Sequence, residues 1–146
     1  MFRLSTKSDY GLILLSTLNR ASVHPRGVPG SGKAHPGGES GFVSISSVAK
    51  KNKISSKFLS QIAQELKKAG FITAKEGVSG GYTLAKTPDQ IRLLDVLKVL
   101  DGDLVVGKCF EDDHECVCGA GDMFAQMREQ LEATIGKKTV ADLVNS

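Results

Sequence analysis

Cys109, Cys116 and Cys118, spaced C-x6-C-x-C, are all the cysteines of this 146-residue chain, and they fall within one acid-rich run, KCFEDDHECVCGA, from Lys108 to Ala120. Thiolates gathered this closely can hold a soft iron-sulfide core, bind zinc, or work as a redox-sensing set. An extended Cys116-Val117-Cys118 turns both sulfurs to one side, which suits chelation of one iron, whereas a disulfide across the pair would be strained. Three thiolates from one loop and a fourth donor from elsewhere would complete the protein ligands of a 2Fe–2S centre. His114 keeps a zinc site open as an alternative. Cys109 with His114 could also suggest a nucleophilic pair, but no third orienting group or oxyanion hole is legible beside it, so an enzyme is not expected.

The thiols are not needed as staples. A chain of 146 residues with 40% hydrophobic content can build a core without disulfides or a structural metal. The cysteine count is odd, the opening MFRLSTKSDY has no apolar signal region, and no apolar run approaches a membrane span. A reducing cytoplasm is therefore expected, where clustered thiols serve metals or redox sensing more often than structural bridges. The net charge of +3 hides an asymmetry: eight lysines between Ser44 and Lys86 meet only Glu65 and Glu76, whereas nine acids from Thr87 to Asp122 meet only Arg92, Lys98 and Lys108. One half is suited to polyanions and the other is not.

The elements that must position these groups follow from periodicity. Ser5 can cap a first helix with Asp9 in its first turn, and Leu4, Gly11, Leu12, Leu14, Leu15 and Leu18 give it an apolar face running to about Arg20. A Gly/Pro/Ser-rich loop over 22–42, holding His24 and His35, has almost nothing to bury and is expected to be mobile. The string VSISSVAKKN predicts a short helix capped by Ser44, and ISSKFLSQIAQELKKAG a second, capped by Ser55 and closed at Gly70. In the second, Phe58, Leu59, Ile62, Ala63, Leu66 and Ala69 recur at helical spacing, leaving Lys57, Ser60, Gln61, Gln64, Lys67 and Lys68 outward or flanking. Phe71 to Lys75 and Tyr82 to Ala85 are strand-like around a glycine-bearing turn, so two helices run directly into a hairpin. That is the pattern of a winged helix-turn-helix, a DNA-binding architecture. After Pro88, Ile91, Leu94, Val96, Leu97, Val99 and Leu100 mark a further, largely buried helix. From Asp122, Met123, Phe124, Met127, Leu131 and Ile135 form one stripe, read as core packing or as a dimer seam. TVADLV predicts a last short helix.

These strings carry a resemblance. RLSTKSDYGL, VSISSVAKKNKISSKFLSQIAQELKKAGFI, GVSGGYTLAKTPDQIRLLDVLKVLDG and TVADL together resemble the IscR/NsrR-type family of bacterial winged-helix transcription regulators, many of which bind an iron-sulfur cluster. The likeness spans nearly the whole chain apart from the loop at 22–41. It implies a mainly α fold with a small β-hairpin wing, with a DNA-binding domain over 1–88, and a cluster-binding loop and long dimerisation helix over 89–146. It also implies a homodimer on a double-stranded DNA operator.

Carried over by position, the resemblance places DNA contacts on Ser56, Lys57, Ser60, Gln61 and Gln64 of the second helix, and on Lys75, Ser79, Gly80 and Gly81 of the wing. Gln61 can offer a donor and an acceptor to an adenine edge, and Lys57 can donate to guanine or phosphate. Glu76 stands where an arginine is common in relatives, which shifts the cationic role at the wing to Lys75. Metal ligation falls on Cys109, Cys116 and Cys118, with a 2Fe–2S cluster favoured over 4Fe–4S. Some relatives supply a histidine three residues past the third cysteine, but Gly121 stands there. In the nitric-oxide-sensing branch the fourth ligand is a carboxylate on the first helix of the opposite subunit, and the matching residue is Asp9. A cluster-free thiol or zinc repressor is the alternative. A small iron-sulfur electron carrier would have no use for the lysine-rich helix and wing.

Overall fold

The computed structural model describes residues 5–23, 41–78, 80–103 and 119–143. In chain order these form α1 (Thr6–Val23), α2 (Ile45–Asn52), α3 (Ser56–Lys68), β1 (Ile72–Lys75), β2 (Gly81–Leu84), α4 (Leu93–Asp101) and α5 (Gly121–Ile135), with 3-10 turns at Pro88–Gln90 and Val140–Leu143. The fold is mostly helical with one antiparallel hairpin, pairing Ile72 with Leu84 and Lys75 with Gly81.

The core is made where α1, α3 and α4 meet. Leu14, Leu15 and Leu18 of α1, Leu59, Ile62, Ala63 and Leu66 of α3, and Val96 and Leu100 of α4 are buried in one cluster with Val48, Ala49, Ile72, Ile91 and Val140. Each full burial of a Leu or Ile side chain contributes about 1.5–3 kcal/mol before entropy is counted, so these helical stripes dominate the drive to fold. Gly11 lets α4 come close to α1: a Cβ there would collide with the Leu100 methyl. The chain's end closes the bundle. The Asn19 side-chain amide donates to the Val140 carbonyl at 3.1 Å, and the Leu93 and Val140 amides donate to the Lys138 and Ile91 carbonyls at 2.9 Å each.

Several local expectations are corrected. The first helix runs past Arg20 to Val23, with Ser22 Oγ donating to the Leu18 carbonyl at 2.9 Å in its last turn. Ser44 occupies the N-cap of α2 but makes no side-chain cap bond; instead Ser47 Oγ donates to the Ser44 carbonyl at 2.8 Å. Val99 is 38% exposed, since α4 is only nine residues long and buries one face. Ala69 is the exposed C-cap of α3, beyond its apolar stripe. The final segment is a 3-10 turn capped by Asp142, which accepts from the Thr139 amide at 2.8 Å. His24, His35 and His114 lie outside the described residues.

Candidate nucleic-acid interface

The turn between α2 and α3 sets the placement of α3. Lys53 takes a left-handed conformation (φ 55°, ψ 40°), and the Ile54 amide donates to the Ala49 carbonyl at 2.9 Å, so α2 ends in a tight turn with Ile54 buried at the corner. Ser55 then caps α3, its Oγ accepting from the Phe58 amide at 3.4 Å. Phe58 meets Tyr10 of α1 edge to face, with ring centroids 5.8 Å apart, which fixes the start of α3 against α1.

With Leu59, Ile62, Ala63 and Leu66 turned inward, Ser56, Lys57, Gln61 and Gln64 are exposed and Ser60 is half-buried. The helix's single acid is taken out of play: Glu65 pairs with Lys7 of α1 at 2.7 Å, both side chains partly buried. The outward face of α3 therefore carries Lys57, Lys67 and Lys68 with no acid among them. Periodicity alone does not show this, because the partner lies on another helix, 58 positions earlier in the sequence.

The wing carries an added β-bridge that sequence reasoning missed. Val43 and Tyr82 exchange backbone hydrogen bonds, Val43 N–H to the Tyr82 carbonyl at 2.8 Å and Tyr82 N–H to the Val43 carbonyl at 2.9 Å, so the segment before α2 adds to the hairpin. The Phe42-Val43 apolar pair beside Ser44 is a weak signal for it. Lys75 is exposed, with Nζ 5.8 Å from the Phe42 ring centroid, a cation–π distance. Gly80 packs under the turn, donating to the Gly77 carbonyl at 3.1 Å, and a Cβ on it would collide with the Lys75 carbonyl. Gly81 sits at φ +149° with its α-carbon against the Val43 backbone. Glu76 and Val78 are exposed at the tip; Ser79 lies outside the described residues.

The candidate ligands divide between what is described and what is not. Cys109, Cys116 and Cys118 lie outside the described residues, and among the described residues no group of three metal-ligating side chains occurs. Asp9 is exposed in the first turn of α1. That turn is tied to the end of α4: the Ser8 hydroxyl donates to Asp101 Oδ2 at 2.7 Å, the Ser5 amide to the same oxygen at 3.2 Å, and the Ser5 hydroxyl to Oδ1. Burial pushes the Asp101 carboxyl up, but these bonds, with Lys7 nearby, outweigh it and hold the carboxyl below its ordinary value. Ser5 also caps α1, accepting from the Ser8 amide at 3.2 Å.

On α5 the expected stripe is unevenly covered. Met123 and Met127 are 54% and 46% exposed, Phe124, Leu131 and Ile135 are half-buried, and no residue of the helix is fully buried. Among the described residues no helix is long and apolar enough to cross a membrane.

A helix-turn-helix whose second helix offers a basic, acid-free face, followed at once by a hairpin, defines a winged-helix transcription regulator. The family model named Rrf2, described as an iron-dependent transcriptional regulator, matches residues 34–146, and the chain belongs to that family. It is 27% identical over 143 residues to the HTH-type transcriptional regulator CymR of Bacillus subtilis, covering 98% of this chain and 90% of the relative. It is 31% identical to a putative HTH-type transcriptional regulator of Synechocystis sp., over 97% of this chain and 86% of that one. The solved structure titled as CymR, the global cysteine regulator of B. subtilis, superposes with a TM-score of 0.75 at 26% identity, over 99% of this chain and 98% of that chain. The HTH-type transcriptional regulator IscR of Cronobacter sakazakii is 26% identical over 114 residues, 74% of this chain and 68% of the relative.

Proposed function

We propose that this chain is a homodimeric cytoplasmic regulator whose affinity for a double-stranded DNA operator is set by an iron-sulfur cluster, 2Fe–2S in preference to 4Fe–4S. DNA contacts fall to Ser56, Lys57, Ser60, Gln61 and Gln64 of α3 and to Lys75, Ser79, Gly80 and Gly81 of the wing. The observation that carries the DNA reading is the acid-free outer face of α3, created by the Lys7–Glu65 pair. Met123, Phe124, Met127, Leu131 and Ile135 would form the seam with a second copy, which accounts for two methionines about half exposed on one face of a helix with no buried residue.

The donor set suits the cluster. Cys109, Cys116 and Cys118 offer three soft thiolates, and Asp9 offers an exposed carboxylate on which no hydrogen bond or ion pair falls among the described residues. A bound cluster would supply a redox-active centre, in which an Asp9 carboxylate would exchange more readily than the cysteine thiolates. The chain's own part is to hold Asp9 at the start of α1, from where it would ligate across to the cysteines of a second copy, on a turn fastened to Asp101 at the end of α4, which the chain's own cysteine-bearing segment follows closely in sequence. Changes in that segment would then bias operator affinity.

Similarity over 99% of the chain to CymR, described as the global cysteine regulator of B. subtilis, favours a second reading, in which the cysteines act as a cluster-free thiol sensor. Anaerobic purification followed by an absorbance spectrum and iron and sulfide assays separates the two. Coloured protein with iron and sulfide in equal amounts is expected; colourless, iron-free protein would leave the thiol sensor.

A further inference from the structure

The first two turns of α1 touch both the end of α4 and the recognition helix. Asp101, the last residue of α4, accepts from Ser5 and Ser8 on one side of that turn. Lys7, between those serines, reaches the other way to Glu65 of α3 at 2.7 Å. Lys7 also contributes to the field that holds Asp101 ionised. The same stretch is fixed further along by Gly11 packed against Leu100 and by Tyr10 against Phe58. Displacement of α4's end would therefore load α1's first turn through charge-assisted hydrogen bonds, and α1 would pass it to α3 through the ion pair.

We propose that Asp101 and Lys7 are positioning residues for the recognition helix: the bonds of Asp101 to Ser5 and Ser8 and the ion pair of Lys7 with Glu65, joined through the backbone of α1's first turn, set how α3 presents its outer face. This rests on the reading of α3 as the helix that meets DNA. Lys7 acts through Glu65, and Asp101 acts through the serines. The chain's geometry also explains why the acid on α3 stands at Glu65, the half-buried flank facing α1, and not on the outer face.

Two measurements on the full-length, thiol-reduced protein test it. The first needs no DNA. In hydrogen exchange, Asp101→Asn should speed exchange about threefold or more at α1's first turn and also at Glu65 to Lys68, with α2 unchanged. Asp103→Asn, which removes only the 4.0 Å pairing with Lys98, should leave α3 as it was. Faster exchange confined to α1, or spread evenly over every helix, would overturn the proposal.

The second measurement uses a duplex selected from a random library and reads the ratio of its affinity to that of random duplex. Lys7→Met and Glu65→Gln should each lower the ratio about threefold to tenfold, the double variant should fall no further than the worse single, and Lys7→Arg should retain it. Independent, additive losses would overturn the coupling. A wild-type chain that selects no duplex would remove the DNA reading instead, and the exchange result would then decide the coupling alone.

Discussion

The Val43 carbonyl and the Gly81 α-carbon are in direct contact: a Cβ at Gly81 would lie 2.5 Å from that oxygen and 2.7 Å from its carbon. The wing is thereby a three-segment structure, the third segment being the bridge residue Val43 just before α2. Because Gly81 also sits at φ +149°, Gly81→Ala combines a backbone clash with strain and should cost about 1–3 kcal/mol. Urea unfolding would show the loss, and operator titration should show weakened binding even where the variant remains folded.

On α3, Gln61→Ala should cost about 1–3 kcal/mol on a cognate operator and little on random DNA, since an amide reads bases. Replacing Lys67 and Lys68 by Ala should weaken both duplexes and lower the salt slope by about one for each phosphate no longer neutralised. Titrations at several salt concentrations check both. Equal losses on the two duplexes for Gln61→Ala would assign it to the backbone.

For α5, Met127→Lys or Leu131→Lys should turn a dimer into monomers and weaken operator binding steeply, because a buried unpaired ammonium in an apolar seam is costly. Sedimentation at micromolar concentration reads the outcome; a monomeric wild type would contradict the seam.

On the proposed cluster reading, loss of any one of Cys109, Cys116 or Cys118 to Ala should strip or badly destabilise the cluster, whereas Asp9→Ala should leave one that assembles with a shifted spectrum and decays faster in air. If Asp9 serves only as an acid at a helix start, its removal should cost some stability and leave the spectrum untouched. An altered His114→Ala spectrum beside an unchanged Asp9→Ala spectrum would move the fourth ligand into the cysteine segment.

Asp101 gives the fold a signed acid dependence. Its carboxyl is held below the ordinary 3.8 in the folded state, so the unfolded state binds the proton first and the contribution is complete above that value. It fades as pH falls from 3.8 through the folded-state value. Asp101→Asn should be less stable than wild type at neutral pH, and the gap should narrow in unfolding curves taken below about pH 4.

Much of this protein was written in its sequence. The stripes through Leu14, Leu15 and Leu18, and through Leu59, Ile62 and Leu66, recur at helical spacing and specify buried faces wherever the helices pack. Ser55 caps α3 through a bond spanning three residues, and the hairpin follows from glycines between two strand-like runs. The outward set of Lys57, Gln61 and Gln64 follows from the same periodicity. Local capping was less dependable, as Ser44 shows: a hydroxyl at an N-cap has several partners in reach, and sequence does not choose among them.

Only the tertiary structure decided what depends on distant partners. The Val43–Tyr82 bridge joins residues 39 positions apart, and the Asp101 bonds to Ser5 and Ser8 join residues 96 and 93 apart. Neither leaves a periodic trace, because a hydrogen bond or ion pair constrains one residue on each element, whereas burial constrains a whole face. For the same reason Glu65 reads in the sequence as one more surface acid, and only the approach of α1 to α3 makes it the partner of Lys7 and leaves the outer face of α3 basic.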